Sequence, residues 1–181
     1  LGRMFRNEGM SVKHNPEFTM MELYQAYADY NDMMKLTEDI YAYVLEKLGK
    51  GFDITYQGTE INLKPPFGKM TMTEAVKKYS GLDFENMPLP QIADELKKAG
   101  VEIEDSESWG NLLFKAFEHF VEDKLIQPTF ILDYPIEVSP LAKKKKGDTR
   151  LTERFEFFVC AREMGNAYSE LNDPIDQKER F

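Results

Sequence analysis

Two short stretches, FRNEG at 5–9 and HNPEF at 14–18, decide the reading of the fold. Residues 3–8 (RMFRNE) read as a strand with a turn at Gly9, and residues 10–16 as a loop closed by Pro16. Residues 17–28 (EFTMMELYQAYA) put Phe18, Met20, Glu22, Tyr24 and Ala26 on one face of a strand. Their Met, Glu, Leu and Ala content also suits a helix. The strand reading makes 1–28 a hairpin with a long loop. Arg6 and Glu8, two apart, share a face of it. An Arg so placed can hold phosphate oxygens in a fixed fork, although spacing alone is better explained by a surface Arg–Glu pair. Glu22 and Tyr24 also share a face, and a carboxylate among Met20, Leu23 and Ala26 needs a partner. A protein Lys or Arg would serve, and so would a cationic ligand; pattern alone favours the former.

Outward from the hairpin, residues 31–49 form a helix. Asn31 or Asp32 caps it, apolar residues recur at Met34, Ile40, Tyr41, Val44, Leu45 and Leu48, and Gly49 stops it. Residues 52–57 and 60–63 flank Gly58-Thr59 as a short hairpin. After the breaker Lys64-Pro65-Pro66 come helices at 73–80 (with a Thr cap), 91–99 (ending at Gly100) and 108–124, the last with Leu112, Leu113, Phe117, Phe120 and Val121 on one face. The span 64–127 therefore reads as a mostly helical insertion between sheet elements. Residues 128–138 return to strand, 143–150 (KKKKGDTR) form a polar loop, and 154–162 and 165–171 are strands with a kink near Gly165. Asp173-Pro174 opens a last helix. The fold class is α+β, a mixed and mainly antiparallel sheet flanked by helices.

The second of those strands carries Asn166, Tyr168 and Glu170 on one face, with Glu163 and Glu156 upstream. Clustered carboxylates on strands suit Mg²⁺, which takes hard oxygen ligands and keeps several waters; an acidic sheet rim with ordinary ion pairs fits the pattern better when taken alone. Positions 156 and 163 differ by seven, so one unbroken strand would aim them at opposite faces. Sharing a metal requires a bulge or bend between 160 and 166. Lys143 to Lys146 are expected in a solvated loop rather than on nucleic-acid phosphates, His119 at the surface or boundary of its helix, and Cys160 in the core of a strand.

Composition narrows the classes. The chain has 181 residues, 42 % of them apolar, enough for one domain with its own core. Its net charge of -9 argues against a general nucleic-acid coat, because phosphate affinity comes mainly from Lys and Arg; DNA is not an expected partner. The single cysteine excludes an internal disulfide and a CxxC metal site, and makes a reducing cytoplasm the simplest setting. No apolar run is long enough to span a membrane, and no signal peptide is read. The opening Leu1-Gly2-Arg3, in strand-like sequence, reads as an excerpt from within a longer protein.

Taken together, LGRMFRNEGMSVKHNPEFTMMELYQAYADYNDMMKLTE at 1–38 resembles the second signature motif of class II lysyl-tRNA synthetases of the bacterial type. VEDKLIQPTF with SPLAK, at 121–130 and 139–143, and RFEFFVCAREMGNAYSELNDPIDQKERF at 154–181 resemble the same family, in the same order. FRNEG and HNPEFT are shared with aspartyl and asparaginyl relatives; ELY and NAYSELNDP point to lysine.

The resemblance implies a partial class II catalytic domain over 1–181 that activates lysine with ATP to lysyl-adenylate and transfers it to tRNA(Lys). Arg6 would be the catalytic residue, stabilising charge at the α-phosphate. Arg6, Glu8, His14, Asn15 and Phe18 would form the ATP site, with Phe18 stacked on adenine. Glu22, Tyr24, Asn166, Tyr168 and Glu170 would enclose the substrate lysine, and Glu156 and Glu163 would bind Mg²⁺. The family's anticodon-binding domain, its first motif and its glycine-rich third motif are not found in this sequence. The chain alone is therefore expected to be inactive or very weak, and the full-length protein to be a homodimer. The competing readings are a paralogue that attaches lysine to a protein, a non-catalytic synthetase-like module, and an aspartate-type enzyme. The last would want a basic residue in place of Glu22 and Glu170.

Overall fold

The run RFEFFV makes the central strand, because both of its faces are buried. A computed structural model describes residues 1–7, 9–11, 14–104 and 106–181. In it β9 (Arg154–Val159) lies between β10 (Arg162–Tyr168) and β6 (Thr129–Leu132), antiparallel to both, while β5 (Gly68–Thr71) runs parallel to β6 at the edge. Phe155, Phe157 and Val159 point to one face, where α1 (Tyr30–Lys47) lays Met34 and Leu45 against them with Phe67 and Phe130. Phe158 and Ile131 point to the other, against α2 (Met72–Ser80) and α4 (Trp109–Phe120), with α3 (Leu89–Lys98) contributing Ile92 and Leu96. The alternation of a strand thus serves two separate cores.

Three further pairs of strands stand apart from this sheet: β1 (Gly2–Phe5) with β2 (Glu17–Met20), β3 (Asp53–Tyr56) with β4 (Thr59–Asn62), and β7 (Lys144–Lys145) with β8 (Asp148–Thr152). The β3–β4 hairpin is the one the sequence predicts, its turn made by Gln57 and Gly58 at φ 49° and 82°. A C-terminal helix, α5 (Pro174–Arg180), starts at the Asp173 cap. Among the described residues no helix is long and apolar enough to cross a membrane.

Several boundaries differ from the sequence reading. The cap of α1 is Asp29, whose carboxylate accepts from the amides of Asn31 and Asp32, and Asp32 completes a capping box by accepting the Asp29 amide at 2.9 Å. The span 64–127 does hold helices, but it also supplies β5, a member of the central sheet. The strand expected over 128–138 ends at Leu132, because Asp133 takes φ 64° and the chain turns into a short 3-10 helix at Ile136–Val138. The polar loop at 143–150 is the β7–β8 hairpin. Lys143 and Lys146 are exposed, as expected, but Lys144 pairs with Asp176 at 2.8 Å and Lys145 with the buried carboxylate of Asp133. Cys160 is not a core strand residue. With Ala161 it forms the tight β9–β10 turn, at φ 53° and 56°, and is half-buried. His119 is exposed, as expected.

Candidate active site

The first group of site residues sits on the β1–β2 ribbon. Met4 pairs with Phe18 and the Arg6 amide donates to Pro16 O at 2.9 Å, so Arg6 follows Met4 onto the Phe18 face. Its guanidinium lies 5.2 Å from the Phe18 ring centre, within cation–π range. The loop beyond is closed by Ser11, which hydrogen-bonds both the His14 amide and its Nδ1 at 3.0 Å. Asn15 follows, exposed. Glu8 lies outside the described residues.

Glu22 and Tyr24 do not continue β2 as a strand. Gly2 pairs with Met20, and among the described residues no strand pairs with the chain past that register, so residues 21–29 run as an irregular loop with both side chains exposed. The loop nevertheless carries them to the end of β10. There the Tyr168 phenol is held above its ordinary range, first by burial, then by the negative charge of Glu170, with Glu22 adding to the effect and Arg154 opposing it. The Tyr30 amide, just past the loop, donates to Ser169 Oγ at 3.1 Å, so segments more than a hundred positions apart in the chain meet here. Asn166 shares that face, opposite Glu156, as Tyr168 stands opposite Arg154. The Arg6–Phe18 ribbon, by contrast, is not hydrogen-bonded into the four-stranded sheet.

Glu156 and Glu163 reach the same face by the required irregularity. The chain reverses at Cys160-Ala161, Glu163 pairs with Phe158, and the register slips between Glu163 and Gly165. Since Phe158 and Glu156 are two apart on β9, all three share a face. Glu156 is buried, and burial followed by the charge of Glu163 pushes its carboxyl up to about 7, against the pull of Arg154 2.6 Å away. A buried carboxylate beside an exposed one of the same charge favours a cation, so the donor set suits Mg²⁺, which takes hard oxygen ligands and keeps several waters. Among the described residues no group of three or more acidic, His or Cys side chains is arranged for a metal.

Two neighbours of Glu156 escape the sequence reading. Tyr134 is fully buried, raised well above its usual range by burial and then by Glu156, yet its hydroxyl completes no hydrogen bond of ordinary geometry. Arg154 lies over the Tyr134 ring at 4.7 Å and ties Glu156 to the carbonyl of Val138, at 2.6 Å. Arg154 and Glu156 are two apart on one strand, a spacing that signals the pair. Tyr134, embedded in an apolar segment, gives no such signal.

A family model described as tRNA synthetases class II (D, K and N) matches residues 1–181. The chain belongs to that family. Over its whole length it is 54 % identical to a lysine–tRNA ligase of Carboxydothermus hydrogenoformans and 57 % identical to one of Pelotomaculum thermopropionicum. A lysine–tRNA ligase of Bacillus cereus is 56 % identical, again over the whole chain. The chain spans 36 to 37 % of the length of these relatives, so it corresponds to part of a class II synthetase. The mixed, mainly antiparallel sheet with helices on both faces is in keeping with membership of this family.

Proposed function

We propose that the protein to which this chain belongs condenses lysine with ATP to lysyl-adenylate and passes the lysyl group to tRNA(Lys). The observation that carries this reading is that the loop bearing Glu22 and Tyr24 ends at Tyr30, whose amide is bonded at 3.1 Å to Ser169, the residue between Tyr168 and Glu170, so the two carboxylate-bearing segments meet. An ammonium leaving water must be repaid by anionic partners, and a site built on two carboxylates rejects amino acids whose side chains are anionic or neutral. The names of the curated relatives point the same way.

The substrate carboxylate is already ionised, so adenylate formation needs positioning and charge neutralisation more than a strong base. Arg6 supplies a fixed guanidinium for the α-phosphate as negative charge builds there. Because that guanidinium already covers one face of Phe18, adenine either takes the opposite face of the ring or enters as Arg6 swings toward phosphate. Ser11 orients the His14 imidazole on the adenine side, where Asn15 and Glu8 belong by resemblance. Glu156 and Glu163 would hold Mg²⁺, which when bound neutralises phosphate charge. Arg154 keeps Glu156 aimed at that place. The reading carries with it a cytoplasmic location and a homodimer of the full-length enzyme.

Lysine-dependent ATP–pyrophosphate exchange by the full-length protein tests the pocket. Glu170→Gln should abolish it, and unchanged lysine dependence would remove Glu170 from the pocket. Charging of tRNA, rather than lysylation of a protein acceptor, distinguishes the ligase from its protein-modifying paralogue.

A further inference from the structure

The loop that bears Glu22 and Tyr24 has two ends, and they are anchored unequally. One end joins β2, in a ribbon not hydrogen-bonded to the central sheet. The other end is Tyr30, the first residue of α1, and it is fixed two ways. Its amide donates to Ser169 Oγ at 3.1 Å, and its hydroxyl donates to Asp133 Oδ1 at 3.3 Å. The second oxygen of Asp133 receives the Lys145 ammonium. Asp133 is 2 % exposed and stands where β6 ends. Burial and the Asp133 carboxylate push the Tyr30 phenol up to about 12, so it stays a proton donor at working pH. Ser169, in turn, lies between Tyr168 and Glu170. Its amide donates to Glu153 O at 2.9 Å and its carbonyl accepts from the Lys143 amide at 2.8 Å.

One buried carboxylate therefore ties the end of β6, the β7–β8 hairpin and the start of α1 together. One serine hydroxyl ties that same helix start to the strand carrying half of the pocket. We propose that Tyr30, acting through Asp133–Lys145 and Ser169, is a positioning residue for lysine selection: it sets the separation between the Glu22–Tyr24 loop and Tyr168–Glu170. This rests on the lysine-pocket reading above. The body of α1 does not depend on the Tyr30 hydroxyl. Met34 and Leu45 are packed in the core beside Phe157, and the Glu38 carboxylate accepts from the Phe67 amide at 2.9 Å. Loss of the hydroxyl leaves the amide bond to Ser169 but unties the helix start from Asp133, so the first turn and the loop before it shift while the helix stays docked. A loop shift of an ångström is enough to lower ligand binding and turnover strongly.

The experiment uses the full-length enzyme and ATP–pyrophosphate exchange, with KM measured separately for lysine and ATP. Tyr30→Phe should raise the lysine KM about tenfold and leave the ATP KM within about twofold. Lys145→Met should do the same, whereas Lys145→Arg, which keeps the charge on Asp133, should restore the wild-type value. Tyr24→Phe should matter less in the Tyr30→Phe background than in the wild type, because the two act through one loop. An unchanged lysine KM in Tyr30→Phe, or equal losses for lysine and ATP, would overturn the inference. If the wild-type enzyme shows no lysine-dependent exchange, the pocket reading itself fails, and that outcome is separate from either result with Tyr30.

Discussion

Glu156→Gln tests the electrostatics of the candidate metal centre through stability rather than activity. The carboxyl titrates near its ordinary 4.5 in the unfolded chain and near 7 in the folded one, chiefly because burial penalises its charge. Between those two pH values the native state holds a proton that the unfolded state has released. Stability must then fall as pH rises through that window and stay lowered above it; below about 4.5 both states are protonated and the effect vanishes. At about 1.4 kcal/mol per tenfold change in proton affinity, a rise from 4.5 to about 7 corresponds to roughly 3 kcal/mol. Glutamine keeps the shape and a hydrogen-bonding oxygen for Arg154, but cannot titrate. In urea unfolding between pH 5 and 8.5 without divalent cations, the wild-type chain should lose roughly 2–3 kcal/mol more than Glu156→Gln. Adding Mg²⁺ at pH 8.5 should recover much of that loss in the wild type and little in the variant, because the cation binds the ionised pair. Parallel pH profiles for the two proteins would refute the assignment of a buried, charge-strained carboxylate at this position.

Phe157→Ala removes the ring that joins α1 to the sheet, stacked at 5.1 Å on Phe67 and edge-on to Tyr41 at 5.3 Å. It should cost about 3–5 kcal/mol in denaturant unfolding; a loss under about 1 kcal/mol would contradict the packing described. At Gly110, an added Cβ would stand 2.1 Å from Glu137 Oε2 and 2.7 Å from Pro135 Cβ. Glu137 can swing away but the proline ring cannot, so Gly110→Ala should lower stability by about 1–3 kcal/mol, read as a drop in Tm.

Where the determinants were local, the sequence was sufficient. Gly58 marked the β3–β4 turn, and the apolar spacing of Met34, Tyr41 and Leu45 marked α1. The seven-residue separation of Glu156 and Glu163 demanded an irregular strand, and the structure supplies it as the turn at Cys160-Ala161 and the slip at Glu163–Gly165. What the sequence hid is long-range. β5 forms because β6, some sixty residues away, runs parallel to it, and no local pattern encodes that partner. The β7–β8 hairpin looked like a solvated lysine run because the acids that pair with Lys144 and Lys145, Asp176 and Asp133, lie elsewhere in the chain. Cys160 and Ala161 turn the chain with positive φ but without the Gly or Asn that usually announces it. The pocket was legible as residue types and illegible as geometry. The sequence reading runs the strand on through Glu22 and Tyr24 although it ends at Met20, and Tyr30 and Asp133 carry no motif of their own.

Because the matching family spans aspartate, lysine and asparagine enzymes, amino-acid choice is the sharpest discriminator. ATP–pyrophosphate exchange by the full-length protein, measured with lysine, aspartate and asparagine in turn, should respond to lysine alone. Exchange driven by aspartate or asparagine would contradict a pocket formed by Glu22 and Glu170.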